Sequence, residues 1–342
     1  MPKLNYLLKV VNGASFEKLN HCIDVVHQRS GKAKAAIFAD MTHCMLKYGA
    51  GYFDYMIFEY ENMNAAQRAT YMTRMVNKKM TMMLNDQSYT HIFDYKNEFY
   101  HTFKDFLKRD FLDLALANKE EVEKFIEGKE FVIAKPSDGE CGKGIKKIKP
   151  QEFTSTSEAA DYILDKANNF GVVEDFIVQH PEMSRLYPDS VNCLRMATVV
   201  VKGEAHLLYA VLKTGNNGNF VDNLESGGYA CHVDLATHKV CGPGHTSSSI
   251  MDAQLSEIHP ATGVAFRGFE VPFLDEAAEL VKKAAMVLPQ VGYIGWDVAI
   301  TENGPAIIEG NNYCAYDFPQ LPDDGWPKFG LLGMVRKAGV EI

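Results

Sequence analysis

Residues 295–312 read GWDVAITENGPAIIEGNN. Two short apolar runs flank a turn, and Asp297, Glu309 and Asn311 interrupt them. Side chains alternate across a strand, so Trp296, Val298 and Ile300 share one face and Asp297 the other. In the second run Ile308 lies opposite Glu309 and Asn311. A two-residue Asn303-Gly304 loop would put the two carboxylates on opposite faces. A three-residue loop, Glu302-Asn303-Gly304 with Gly304 at positive φ, pairs residue 301 with 305 and 297 with 309. The second register also gathers the apolar residues on one face, so the burial pattern selects it. Like charges directly opposite one another are destabilising, and a cation between them would relieve this. Two carboxylates and an amide oxygen suit a hard ion such as Mg²⁺, which takes few protein ligands beside substrate phosphates. A solvent-facing acidic edge accounts for the hairpin as well, and the hairpin alone leaves both readings open.

Working outward, FVIAKPSDGECGKGIKKI (131–148) ends an apolar strand on Lys135 and follows it with Gly139, Gly142 and Gly144. Glycine turns let backbone N–H groups approach phosphate oxygens, and a nearby lysine adds a point charge. Neither GxxxxGK[S/T] nor GxGxxG is present, and a plain hairpin loop explains the stretch at least as well. In GVVEDFIVQH (171–180), Val173 and Phe176 could bracket a flat base whose edge the backbone near Glu174 and Phe176 would read. A buried strand with surface acids is the plainer alternative. Arg195 and Lys213 are single cations in apolar strands. Such residues usually snorkel to solvent, but together they could serve a polyphosphate.

The chain has 342 residues and a net charge of −9, which argues against broad nucleic-acid or anionic-membrane binding. The N-terminal stretch breaks its apolar run at Lys9 and Asn12 and makes a poor secretory segment. No apolar run approaches the ~18 residues of a spanning helix. Seven cysteines without a CxxC pair point to reduced thiols and a cytoplasmic protein. Cys231, His232, His238, Cys241 and His245 cluster, but their spacing matches no common zinc module, and a polar loop region is the expectation. Residues 1–125 read as mainly helical, with the last helical stretch running through KNEFYHTFKDFLKRDFLDLAL (96–116). The methionines there are expected to fill core gaps. From about residue 130 short β-rich runs alternate with Gly, Asn and Pro turns. Two helices are expected among them, TSEAADYILDKANNF with Ser157 as N-cap and DEAAELVKKAAMVLPQ limited by Pro289. The mixture is α+β.

The order of these parts (lysine strand, glycine loop, V-E-x-[FY]-I hinge, strand arginine, then D…E-x-N) resembles the ATP-grasp superfamily of carboxylate–amine ligases. SVNCLRMATV, VDNLESGGYACHVDLATHKV, HPATGVAFRGFEVP and IGWDVAITENGPAIIEGNN narrow the resemblance to the sugar-transfer-associated ATP-grasp family, over about residues 90–320. The resemblance implies an ATP-grasp fold. A helical region (1–125) would precede a small α+β lid (126–183) and a larger α+β domain (184–342), with ATP between the two.

It further implies that Lys135 holds the α- and β-phosphates under a loop of Gly139, Glu140, Cys141, Gly142 and Gly144, with Lys96 as a second nucleotide lysine. Glu174 and Phe176 would line the adenine slot, and Gln179 would lie near the ribose. Asp297, Glu309 and Asn311 would bind Mg²⁺, and Arg195, helped by Lys213, would clamp the γ-phosphate. Asn223, Ser226 and Gly227 would lie near phosphate or substrate. Cys141 in the loop and Lys213 in place of an arginine depart from the expected pattern. The implied activity joins a small-molecule carboxylate to an amine through an acyl phosphate, with a hint of glycan or surface-polysaccharide assembly. Phosphotransfer to a non-carboxylate acceptor and a nucleotide-binding module without catalysis are the competing readings.

Overall fold

Two antiparallel sheets organise the computed structural model, which describes residues 16–139, 142–246, 255–323 and 329–342. The smaller sheet has the order β1-β4-β2-β3, built from β1 (Phe111–Asp113), β2 (Val132–Lys135), β3 (Lys146–Ile148) and β4 (Val172–Asp175). The larger sheet runs β10-β9-β7-β6-β5-β11-β12, with β8 paired to β7. Its strands are β5 (Cys193–Val201), β6 (Glu204–Thr214), β7 (Tyr229–Asp234), β8 (Lys239–Val240), β9 (Gly244–His245), β10 (Leu255–Ser256), β11 (Tyr293–Thr301) and β12 (Gly304–Asn311).

One face of the larger sheet carries Leu194, Met196, Ile294, Trp296, Val298 and Ile300. The helix Leu274–Ala285 covers it with Leu274, Ala277, Val281 and Ala284, the i, i+3, i+4 stripe of an amphipathic helix. Asp275 and Glu276 in its first turn and Lys282 and Lys283 in its last complement the helix dipole. Phe93, Phe99 and Phe103 pack around Trp296, whose indole N–H donates to Thr198 Oγ1 at 2.8 Å. The opposite face, with Ala197, Val199, Leu208, Tyr209 and Val211, receives the N-terminal helices and residues 331–340. Met41, Met63, Met72 and Met80 fill this second core as expected, whereas Met75, Met82 and Met83 are exposed. Asn85 ties the N-terminal region to β11. Its amide nitrogen donates to the carbonyls of Tyr293 and Asn312 at 2.9 and 2.8 Å, and its oxygen accepts from Tyr293 N at 2.8 Å.

The smaller sheet has an apolar side and a charged side, both buried. Helices Lys119–Ile126 and Thr156–Leu164 pack Val122, Ile126, Ala159, Ala160 and Ile163 onto Val132, Ala134 and Val173. Alternation sends Lys135 and Glu174 to the other side.

Three local expectations change. The helix that begins at Lys96 stops at Leu107, because Lys108 turns left-handed at φ 53°, and residues 111–113 form a strand paired with β4. Ser155, not Ser157, caps the helix Thr156–Leu164 by accepting from Glu158 N at 3.1 Å. The Cys231–His245 stretch supplies strands β7 to β9, with His232 and His245 buried, and is not a polar loop.

Candidate nucleotide and metal site

In the 295–312 hairpin, Thr301 pairs with Gly304, so the loop is the two residues Glu302 and Asn303. Gly304 takes φ 100°, and Asn303 N donates to Thr301 Oγ1 at 3.1 Å. The expected three-residue loop is therefore wrong. The expected pairing of Asp297 with Glu309 still forms, because a bulge between Asp297 and Val298 inserts Ile308 and restores the register. β11 lies between β5 and β12, and Asp297 is only 4% exposed, so it is not on a solvent-facing acidic edge. Gly310 leaves room for the rings of Phe93 and Phe99, which a Cβ would strike.

Asp297 stands opposite Glu309 on one side and Arg195 on the other, so Arg195, Asp297 and Glu309 form one row across three strands. The Arg195 guanidinium grips both Asp297 oxygens, Nη2 at 2.9 Å from Oδ2. Lys213, diagonally placed on β6, lies 3.4 Å from Asp297 Oδ2 and 3.3 Å from Asp222 Oδ1. Burial raises the Asp297 carboxyl, but Arg195 and then Lys213 outweigh it and hold the group at about 2. The chain's own cations thus relieve the repulsion between the paired carboxylates.

A second charged group faces this row from the smaller sheet. Lys135 Nζ lies 2.6 Å from Glu174 Oε1 and 3.1 Å from the Tyr100 hydroxyl. Arg109 reaches Glu174 Oε2 at 2.8 Å and also donates to the carbonyls of Leu107 and Ile307 at 3.0 and 2.7 Å. It joins the smaller sheet to β12. Burial favours a neutral Glu174, yet Arg109 and then Lys135 hold its carboxyl down at about 2. Arg109, Tyr100 and Asp222 were not singled out from the sequence. Arg109 sits in a charged helical-looking stretch, and no local signal marks it.

Lys96 donates to the carbonyl of Gly139 and so anchors the glycine loop. Burial lowers its pKa; Glu309 opposes that shift and Lys135 adds to it, placing all three side chains within electrostatic reach. Gly142 and Gly144 both take positive φ, and Glu140 and Cys141 lie outside the described residues. Asn311 Nδ2 makes a long 3.4 Å contact to Gly295 O. Gln179 is drawn into a buried network: its nitrogen donates to the carbonyls of Tyr187 and Ser190, and its oxygen accepts from Asn192. Asn223 caps the turn Leu224–Ser226 by accepting from Glu225 N at 3.0 Å, and Gly227 closes that turn at φ 90°. A cleft of about 1060 Å³ opens beside the hinge, lined by Phe131, Phe176, Ile177 and Val178 and, across from them, Pro305 and Ala306. Phe176 lines it; Glu174, Lys135 and the carboxylate row do not.

The donor set fits a hard dication. Asp297, Glu309 and Asn311 offer side-chain oxygens on one face of one hairpin, and a carboxylate has about four lone-pair sites. Asp297 can therefore keep Arg195 and still accept an ion.

The two sheets, the lysine strand, the glycine loop and the cation-backed carboxylate hairpin accord with the ATP-grasp superfamily, which includes ATP-dependent carboxylate–amine ligases. The chain belongs to the sugar-transfer-associated ATP-grasp family, which matches residues 67–328. Its fold is the ATP-grasp fold, with a helical N-terminal region before it. No curated protein matches the chain in sequence. Among solved structures, the biotin carboxylase domain of 2-oxoglutarate carboxylase from Hydrogenobacter thermophilus, in complex with MgADP, ADP and bicarbonate, aligns at 15% identity and TM-score 0.41. That alignment covers 67% of this chain and 42% of the other, so this chain spans less than half of that relative's length. The ATP-grasp ligase PsnB with its minimal precursor aligns at 14% identity and TM-score 0.39 over 75% of this chain and 68% of that one. D-alanyl-alanine synthetase A from Vibrio cholerae aligns at 12% and 0.40 over 73% and 61%. No helix among the described residues is long and apolar enough to cross a membrane.

Proposed function

We propose that the chain is an ATP- and Mg²⁺-dependent ligase that joins a carboxylate to an amine. The observation that carries this reading is the row Arg195–Asp297–Glu309 across three adjacent strands, in a chain of the ATP-grasp family. Lys135 and Lys96 would bind the phosphates beneath the glycine loop, and Phe176 would border the base. Asp297, Glu309 and Asn311 would hold Mg²⁺, which supplies charge neutralisation on the phosphate oxygens. Arg195, with Lys213 behind it, would stabilise the transferring phosphoryl group, so that catalysis is mainly positioning and electrostatics. Asn223, with Ser226 and Gly227, would shape the acceptor side.

In the first step a carboxylate oxygen attacks the γ-phosphorus and ADP leaves, giving an acyl phosphate. An amine nitrogen then attacks the acyl carbon, phosphate leaves with the bonding pair, and the amine gives up a proton. Water exclusion between the two sheets would protect the intermediate. The family's association with sugar transfer supports acceptors drawn from glycan assembly.

Titration calorimetry with a non-hydrolysable ATP analogue tests the site. Binding that needs Mg²⁺ and weakens in Glu309→Gln is the expected result, and no binding with or without Mg²⁺ would overturn it. Product analysis with carboxylate and amine pairs separates an amide from a phosphoester, which would instead mark a phosphotransferase.

A further inference from the structure

His232 on β7, His245 on β9 and Asp323, three residues beyond the turn Phe318–Gln320, converge in the interior. All three are buried, and one potential ligand atom from each lies within 4.8 Å of the others. The same oxygen, Asp323 Oδ2, stands 3.0 Å from His232 Nδ1 and 3.3 Å from His245 Nε2. Ligand atoms around one tetrahedral zinc ion, at about 2.0–2.1 Å from the metal, are separated by roughly 3.3 Å.

The tautomer of His232 sharpens the case. Its Nε2 lies 2.8 Å from the carbonyl oxygen of Phe318. A carbonyl only accepts, so Nε2 carries the hydrogen. In a neutral ring Nδ1 is then the basic nitrogen, and it faces a carboxylate oxygen. Two lone pairs meet there unless the ring or the carboxyl carries a proton or a cation is shared. A backbone carbonyl on the far nitrogen is also what orients a metal-bound imidazole. Gly242 makes room for the carboxylate, since a Cβ there would overlap Asp323.

This group is distinct from the magnesium carboxylates. Glu309, Asp297, Arg195, Val211 and His232 are successive neighbours in one row across the larger sheet. Four strand spacings separate its ends, roughly 19 Å. The chemistry differs too, because imidazole nitrogens select a borderline transition metal over Mg²⁺.

We propose that His232, His245 and Asp323 form a second metal site, for a zinc-class dication. Cobalt(II) reports such a site. The full chain, purified without a histidine tag and stripped with a chelator, is titrated with Co²⁺ and then Zn²⁺. One equivalent of cobalt with tetrahedral ligand-field absorption, displaced by zinc, is expected. Two paramagnetically shifted exchangeable imidazole N–H resonances should accompany it. Glu309→Gln should leave the signal unchanged. His245→Gln and the near-isosteric Asp323→Asn should each weaken binding at least about tenfold. Absence of the absorption or of the two shifted resonances in folded wild-type protein would overturn the proposal, whatever the variants do. So would a cobalt signal that persists in folded His245→Gln and Asp323→Asn. The three side chains would then be a buried hydrogen-bonded group only.

Discussion

Replacing Arg109 with methionine tests whether charge pairing holds the smaller sheet to β12. The substitution keeps an unbranched stem and removes the guanidinium. Glu174, only 2% exposed, would keep Lys135 and the Tyr100 hydroxyl but lose the larger of its two cationic partners. The carbonyl of Ile307 would lose a 2.7 Å donor. Breaking a buried pair from one side costs roughly 3–5 kcal/mol, since the remaining charge stays desolvated.

The acid limb of the stability profile provides a second magnitude. Glu174 is held at about 2, below its ordinary 4.5. A lowered folded-state pKa gives stability that is full above the unfolded value and is lost as pH falls through the folded one. The gap amounts to about 3 kcal/mol at 1.36 kcal/mol per pH unit, lost between about pH 4.5 and pH 2. In Arg109→Met the folded pKa rises, so stability at pH 7 drops and this part of the acid limb flattens. Urea denaturation of wild type, Arg109→Met, Glu174→Gln and the double variant at pH 7, repeated down to pH 3, measures both effects. The two substitutions should couple by more than about 1.5 kcal/mol. Additivity within about 0.5 kcal/mol, or an unchanged acid limb, would refute the reasoning.

Lys135→Ala should weaken ATP-analogue binding by at least about tenfold, roughly 1.4 kcal/mol, in calorimetry; unchanged affinity would remove Lys135 from the nucleotide site. Arg195→Gln should lower ADP release under saturating substrates by roughly 100- to 1000-fold, as expected for loss of a donor aimed at developing charge. Near-normal turnover would leave the Arg195–Asp297 pair a purely structural one. Asn85→Ala should destabilise the protein by about 3 kcal/mol in the same denaturation assay, because two buried backbone groups of Tyr293 and the half-buried carbonyl of Asn312 lose their partner, and each buried one costs roughly 1–3 kcal/mol. A loss below about 1 kcal/mol would mean that those groups find other partners.

Strands β2, β4, β5, β6, β11 and β12 were legible because their apolar runs stop at Gly, Asn or Pro turns. The break after Leu107 was not. Phe103, Phe106, Leu107, Phe111 and Leu114 keep helical spacing straight through it, and the left-handed residue is Lys108 rather than glycine. Arg109 stayed hidden with that break. The hairpin shows a different limit: a shorter loop and a bulge at Ile308 offset one another, so the Asp297–Glu309 pair could be read while its turn could not. Asp323 meets His232 and His245 from a segment nearly eighty residues away in sequence. Spacing among the Cys and His residues of 231–245 could not reveal a third ligand so distant.

The charge balance of the nucleotide site sets how Mg²⁺ should bind. Asp297 already contacts Arg195 and Lys213, and Glu309 lies within electrostatic reach of Lys96. An ion arriving alone would meet an Asp297 whose charge is already largely compensated, and would gain little from it for its lost hydration. A polyphosphate changes that balance, because it brings negative charge that Lys96, Lys135 and Arg195 can serve while the ion takes the carboxylates. Mg²⁺ and nucleotide should therefore bind with positive coupling of about 1–3 kcal/mol, a mutual tightening of roughly 5- to 150-fold. Calorimetric titration of Mg²⁺ into the protein, with and without saturating ATP analogue, measures the coupling. Equal Mg²⁺ affinity in both conditions would show that the carboxylate pair is set up for the ion itself, and that Arg195 and Lys213 do not compete for its charge.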